Sequence, residues 1–125
     1  MRPARYFPRF LCDLPATIHS PAARVKLSDA RIQNIGIAGI GVACPHLSKS
    51  VPYEFRFSCE GRALRLTGRV AWEAPRDPKN AKLHRYGIAF NLSIDQEALL
   101  KEVVDALKAQ AAPVAAGDYW AGGRL

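Results

Sequence analysis

No run in these 125 residues stays apolar over the roughly 20 positions that a membrane-spanning helix needs. The basic start, Met1-Arg2-Pro3-Ala4-Arg5, is not followed by an apolar stretch, so no secretory leader is expected and the expected location is cytoplasmic. Cysteine is scarce. There are three, Cys12, Cys44 and Cys59, and an odd count argues against a disulfide framework. Neither these nor His19, His46 and His84 stand at metal-ligand spacings such as CxxC or HxxxH, so no metal is expected. No histidine has a catalytic motif around it, which makes an enzyme the least favoured class. Acidic side chains are also in short supply. Eleven Asp and Glu against 18 Lys and Arg leave a net charge of +7, which favours an anionic partner such as a nucleotide, a nucleic acid or an acidic protein face.

The chain is long enough for one domain with a real core, and its pattern is mainly β. Leu14 to His19 reads as a short first strand, with Ser20-Pro21-Ala22-Ala23 as a turn. Arg24 to Ile35 reads as a strand with a bend near Ser28-Asp29, or as two pieces. Ile40 to Cys44 is a strand ended by Pro45. Tyr53 to Cys59 is the cleanest period-two segment, with Tyr53, Phe55, Phe57 and Cys59 on one face. Glu60-Gly61 makes a hairpin turn. Leu64, Leu66, Gly68, Val70 and Trp72 then share the core face of the next strand, and Arg65, Thr67 and Arg69 form a basic outer face. Pro75 to His84 is a charged loop, and Tyr86 to Phe90 is the last strand. Ser93-Ile94-Asp95-Gln96 fits a capping box, and a helix with Leu99, Leu100, Val103, Val104 and Leu107 on its apolar face runs to Gln110. Six or seven short antiparallel strands close most economically as a small barrel, with the C-terminal helix over an open end or side.

Two stretches stand out from this frame. Asn34-Ile35-Gly36-Ile37-Ala38-Gly39 carries glycines among β-branched residues. It reads as a strand ending near Ile35, a turn at Gly36 to Gly39, and a new strand from Ile40. Asn34 stands at the lip of the turn with an amide that both donates and accepts. Arg5-Tyr6-Phe7-Pro8-Arg9, by contrast, contains a proline and follows another, so it cannot be helical. Two guanidiniums flanking aromatics suit planar anions. Arginine grips phosphate bidentately, stacks on bases, and pairs with the O6/N7 edge of guanine.

Together these pieces resemble the PilZ domain family, small β-barrels of which many bind cyclic di-GMP. Arg5-Tyr6-Phe7-Pro8-Arg9 matches the family's RxxxR motif. Asn34-Ile35-Gly36-Ile37-Ala38-Gly39 stands where the family has [D/N]xSxxG, and Gly68 to Trp72 with Tyr86 to Phe90 resembles its late strand pair. The likeness covers about residues 2 to 110. It implies a six- to seven-stranded antiparallel PilZ-like barrel at 13–110, a basic N-terminal arm at 1–12, and a disordered tail at 111–125. It also implies a ligand, cyclic di-GMP, held without a cofactor by Arg5, Arg9, Asn34, Gly36 and Gly39, with Arg2 and Arg69 as further candidates. Binding would order the arm and alter the surface offered to a protein partner. The sequence departs from the pattern at one position, Gly36 in place of serine. Loss of one hydroxyl hydrogen bond weakens binding by about two- to twelve-fold, less than a pair of charged arginine contacts supplies.

Two rivals come from other classes. One is a PilZ-like protein-interaction module, of the kind associated with type IV pili, that no longer binds nucleotide; Gly36 speaks for it and Arg5 and Arg9 against it. The other is a basic small barrel that binds nucleic acid, which the net charge favours.

Overall fold

The structure, a computed structural model, describes residues 8–110. Six strands and one helix follow in chain order: β1 (Arg9–His19), β2 (Lys26–Gly36), β3 (Gly39–Cys44), β4 (Tyr53–Cys59), β5 (Arg62–Ala74), β6 (His84–Phe90) and α1 (Ile94–Gln110). All pairings are antiparallel, and the strands close into a barrel in the order β1-β2-β3-β6-β5-β4. Closure leaves no free sheet edge, so every strand finds hydrogen-bonding partners on both sides.

The period-two reading of the β4–β5 hairpin holds. Tyr53, Phe55, Phe57, Leu64, Leu66 and Val70 are all buried, and Glu60 and Gly61 between the strands have φ of 52° and 74°, as a tight two-residue hairpin requires. Ile18, Ile32, Ile35, Ile40, Val42 and Ile88 complete the barrel interior, and Leu100, Val103 and Val104 of α1 pack into the same core. The helix starts where its cap lies. Ser93 N–H donates to Gln96 Oε1 at 2.9 Å, and Gln96 N–H donates to Ser93 Oγ at 3.2 Å. Among the described residues, no helix is long and apolar enough to cross a membrane.

Three expectations change, and the choice between one second strand and two is decided for one. The first strand begins at Arg9, five residues before Leu14, so residues 9–12 are strand here and not arm. Pairing with β2 decides this: Arg9, Phe10 and Leu11 lie opposite Gly36, Ile35 and Asn34. The second strand is continuous from Lys26 to Gly36. The sixth starts at His84, because Cys44 of β3 pairs with it. Trp72 is not in the core. A register irregularity between Val70 and Trp72 sets it opposite Gly87, whose neighbours Tyr86 and Ile88 both point inward, so the indole lies half-buried on the outer face.

Candidate functional site

The two motifs singled out in the sequence meet on the outside of the barrel at the β2–β3 turn. Phe10 and Ile35 point inward as a cross-strand pair, so the adjacent pair Arg9 and Gly36 faces out. Asn34 would follow Ile32 into the core if β2 alternated regularly. A bulge between Ile32 and Asn34 turns it outward instead, opposite Gly41 of β3.

The Arg9 side chain lies over this turn. Its Nη1 donates to Asn34 Oδ1 at 2.8 Å. Its Nη2 stands 3.2 Å from where a Cβ on Gly39 would be. One guanidinium therefore spans both ends of the second motif. Arg9 is only 6% exposed and Asn34 is 0% exposed, though both belong to the outer face. The Asn34 amide is half satisfied: Nδ2 is buried and has no hydrogen-bond partner among the described residues. A buried unused donor costs about 1–3 kcal/mol, so this nitrogen is a standing demand for an acceptor.

Gly36 and Gly39 are there because other atoms come close. A Cβ on Gly36 would stand 2.7 Å from the Pro8 carbonyl oxygen, and one on Gly39 only 2.1 Å from the Ile88 carbonyl oxygen. The first contact lets the chain entering β1 cross the turn directly beneath Arg9. The second lets β6 pack against the start of β3, where Phe90 N–H donates to the Ala38 carbonyl at 3.1 Å.

Asn34, Gly41, Gly87 and Trp72 lie on one rung across β2, β3, β6 and β5. Between the Arg9–Asn34 pair and the Trp72 indole the rung carries only two glycines, and it spans about 14 Å at the usual strand spacing. The Trp72 indole lies against Gly87, where any Cβ would meet Nε1 at 2.1 Å. The sequence reading took Trp72 for core and missed this platform. Gly41 and Gly87, each inside a strand pattern, are the signal that could have found it.

The remaining candidates are scattered. Arg2 and Arg5 lie outside the described residues. Arg69 faces out of β5, and its Nη1 donates to the Ser50 carbonyl at 3.0 Å, on the β4 side of the strand and away from Arg9. A groove of about 320 Å³ beside the turn runs between Pro8, Ile37 and the Glu97–Lys108 face of α1. The histidines are engaged elsewhere: His19 Nε2 with Thr17 Oγ1 at 2.8 Å, and His84 Nδ1 with Glu73 Oε2 at 2.9 Å, its ring stacked on Tyr86.

The PilZ domain model matches residues 3–106 of the sequence, most of its length. The chain belongs to the PilZ domain family. Solved PilZ structures agree on the fold. The PilZ domain with c-di-GMP of YcgR from Escherichia coli is 15% identical, with a TM-score of 0.64 over 85% of this chain and 92% of that one. The PilZ domain of CeSA from a cellulose-synthesizing bacterium is 17% identical, with a TM-score of 0.56 over 80% and 97%. The Bacillus subtilis inhibitor of motility, MotI/DgrA, is 17% identical, with a TM-score of 0.61 over 88% of this chain and 53% of that longer one. No curated protein matches the sequence.

Proposed function

We propose that this PilZ domain is a cyclic di-GMP receptor and effector, a binding module and not an enzyme. The observation that carries the reading is the Arg9–Asn34 contact, with its unused Asn34 Nδ2 beside it. Both PilZ motifs converge there, and the arrangement holds a planar cation next to a donor in want of an acceptor. Guanine offers O6 and N7 acceptors, and the phosphates offer oxygens for a guanidinium fork. In this reading Arg5 and Arg9 clamp phosphate and guanine edges, Asn34 donates Nδ2, and Gly36 and Gly39 let the ligand approach the backbone. The outer face of the Trp72 indole, laid over Gly87, offers a flat apolar surface to a base. Arg2 and Arg69 add positive field. Ligand binding brings the basic segment ahead of β1 against the barrel and changes the surface that a protein partner meets, a population shift. The absence of a membrane-length apolar run fits a protein that meets its ligand in the cytoplasm.

A second reading has one observation in its favour. The Pro8 carbonyl stands where a side chain on residue 36 would be, so the chain itself fills the place of the family's serine. That suits a protein-interaction module that has given up nucleotide.

Calorimetric titration of cyclic di-GMP, GTP and GMP into the full chain decides between them. The receptor reading expects saturable binding selective for cyclic di-GMP. It also expects Arg9→Ala to weaken that binding by about 10- to 140-fold, the equivalent of one charge-assisted contact of about 1.5–3 kcal/mol. No heat from the unsubstituted protein, or an Arg9→Ala variant that binds equally well, overturns it.

A further inference from the structure

The face of the barrel away from the glycine turn carries a feature that ligand binding does not use. Arg56 of β4 and Arg65 of β5 are directly paired across the ladder, both on the outer face because Phe55, Phe57, Leu64 and Leu66 point inward. Like charges in that position repel. Glu54 neutralises Arg56 at 2.5 Å. Arg65 makes no ion pair among the described residues, and both guanidiniums help to lower the pKa of nearby His19, after burial as the main cause. Arg65 also forms the rim of a groove of about 240 Å³ between β5 and the first turns of α1, with Ala63 and Leu99 on its apolar side and Asp95 and Gln96 at its end. Gln96 Nε2 fixes that end by donating to the Arg65 carbonyl at 2.7 Å. Beside it stands Ile94, 86% exposed, the most exposed large hydrophobic side chain among the described residues.

We infer that this groove docks a segment of a partner protein carrying an apolar anchor residue with carboxylates on the one side that meets Arg65, away from Asp95. Its volume is below the roughly 300–1,000 Å³ typical of small-molecule pockets, and suits an anchor side chain more than a whole ligand. Arg65 supplies the unpaired positive charge that a neighbouring carboxylate completes, and a bidentate guanidinium–carboxylate pair also fixes its direction. The barrel is closed, so the partner cannot add a strand, and recognition rests on the groove and its rim. The inference goes beyond the ligand reading and does not depend on it.

The test is a two-dimensional NMR titration of the isotope-labelled full chain, without nucleotide, by a synthetic hexapeptide with two acidic residues on one side of Leu-Phe and two serines on the other. Saturable shifts confined to the amides of residues 63–66 and 94–99 are expected. Arg65→Glu, an exposed position whose spectrum elsewhere stays unchanged, weakens the response about tenfold or more, as does Ser-Ser in place of Leu-Phe in the peptide. No saturable shift at these amides overturns the inference. So does an equal response to a twelve-nucleotide oligothymidylate or to inorganic phosphate, which marks an anion site. Shifts of the same amides on dilution of the protein alone also overturn it, since they mark contact between copies of this chain.

Discussion

Gly36 is where this chain departs from its family, and the structure gives the substitution a definite size. A Cβ at residue 36 would stand 2.7 Å from the Pro8 carbonyl oxygen and 3.4 Å from Arg9 Cγ. Ordinary contact begins near 3.4 Å, so the Pro8 backbone must retreat by several tenths of an ångström. Arg9 is the next residue, and its 2.8 Å bond to Asn34 moves with it. Overpacking of this kind costs about 1–3 kcal/mol, and the cost is the same in kind for Gly36→Ala and Gly36→Ser because the β-carbon causes it. Only serine adds a hydroxyl, whose net contribution to ligand binding is about 0.5–1.5 kcal/mol. Both variants are therefore expected to lose about 1–3 kcal/mol of unfolding free energy in urea denaturation. In calorimetric titration, Gly36→Ser is expected to bind cyclic di-GMP about two- to twelve-fold more tightly than Gly36→Ala. If Gly36→Ala unfolds at the same urea concentration as the unsubstituted protein, the Pro8 approach is no constraint and the packing argument fails. If the two variants bind alike, the hydroxyl is not a ligand contact.

Gly39→Ala brings a β-carbon to 2.1 Å from a backbone oxygen of β6 and is expected to cost about 3 kcal/mol in urea denaturation; Gly61→Ala meets open space at φ +74° and costs about 1 kcal/mol, so equal midpoints for the two would refute the distinction. The hydrogen bond from His84 holds the Glu73 carboxyl below its usual value. A depressed carboxylate contributes stability above its unfolded pKa, near 4.5, and loses it as pH falls through the lower folded value. Glu73→Gln should therefore flatten the acid limb of the stability–pH curve by lowering stability in the neutral region, and leave the most acidic end nearly unchanged. Burial pushes the thiols of Cys12 and Cys44 up to about 12, so both should resist iodoacetamide near pH 8 in the folded protein and react in urea, as intact-mass measurement will show.

Features that depend on near neighbours in the chain could be read from the sequence alone. The alternation from Tyr53 to Val70 sets the inward faces of β4 and β5, because side chains in a strand alternate whatever the strand pairs with. Glu60-Gly61 fixes the hairpin through its own backbone angles, and Ser93 with Gln96 fixes the start of α1 through bonds spanning three residues. The order and spacing of the two motifs likewise identified the family. Where those motifs meet was decided elsewhere. Arg9 reads as part of a solvated basic arm until 25 residues of chain return beside it as β2 and offer Asn34. Strict alternation sends Asn34 inward with Ile32 and Trp72 inward with Val70. In both cases a one-residue bulge, imposed by register against the neighbouring strand, turns the side chain to the outer face. A bulge is set by pairing between distant segments and leaves no mark in local pattern. The residue types of the candidate site were thus present in the sequence, but only closure of the barrel determined which of them face one another.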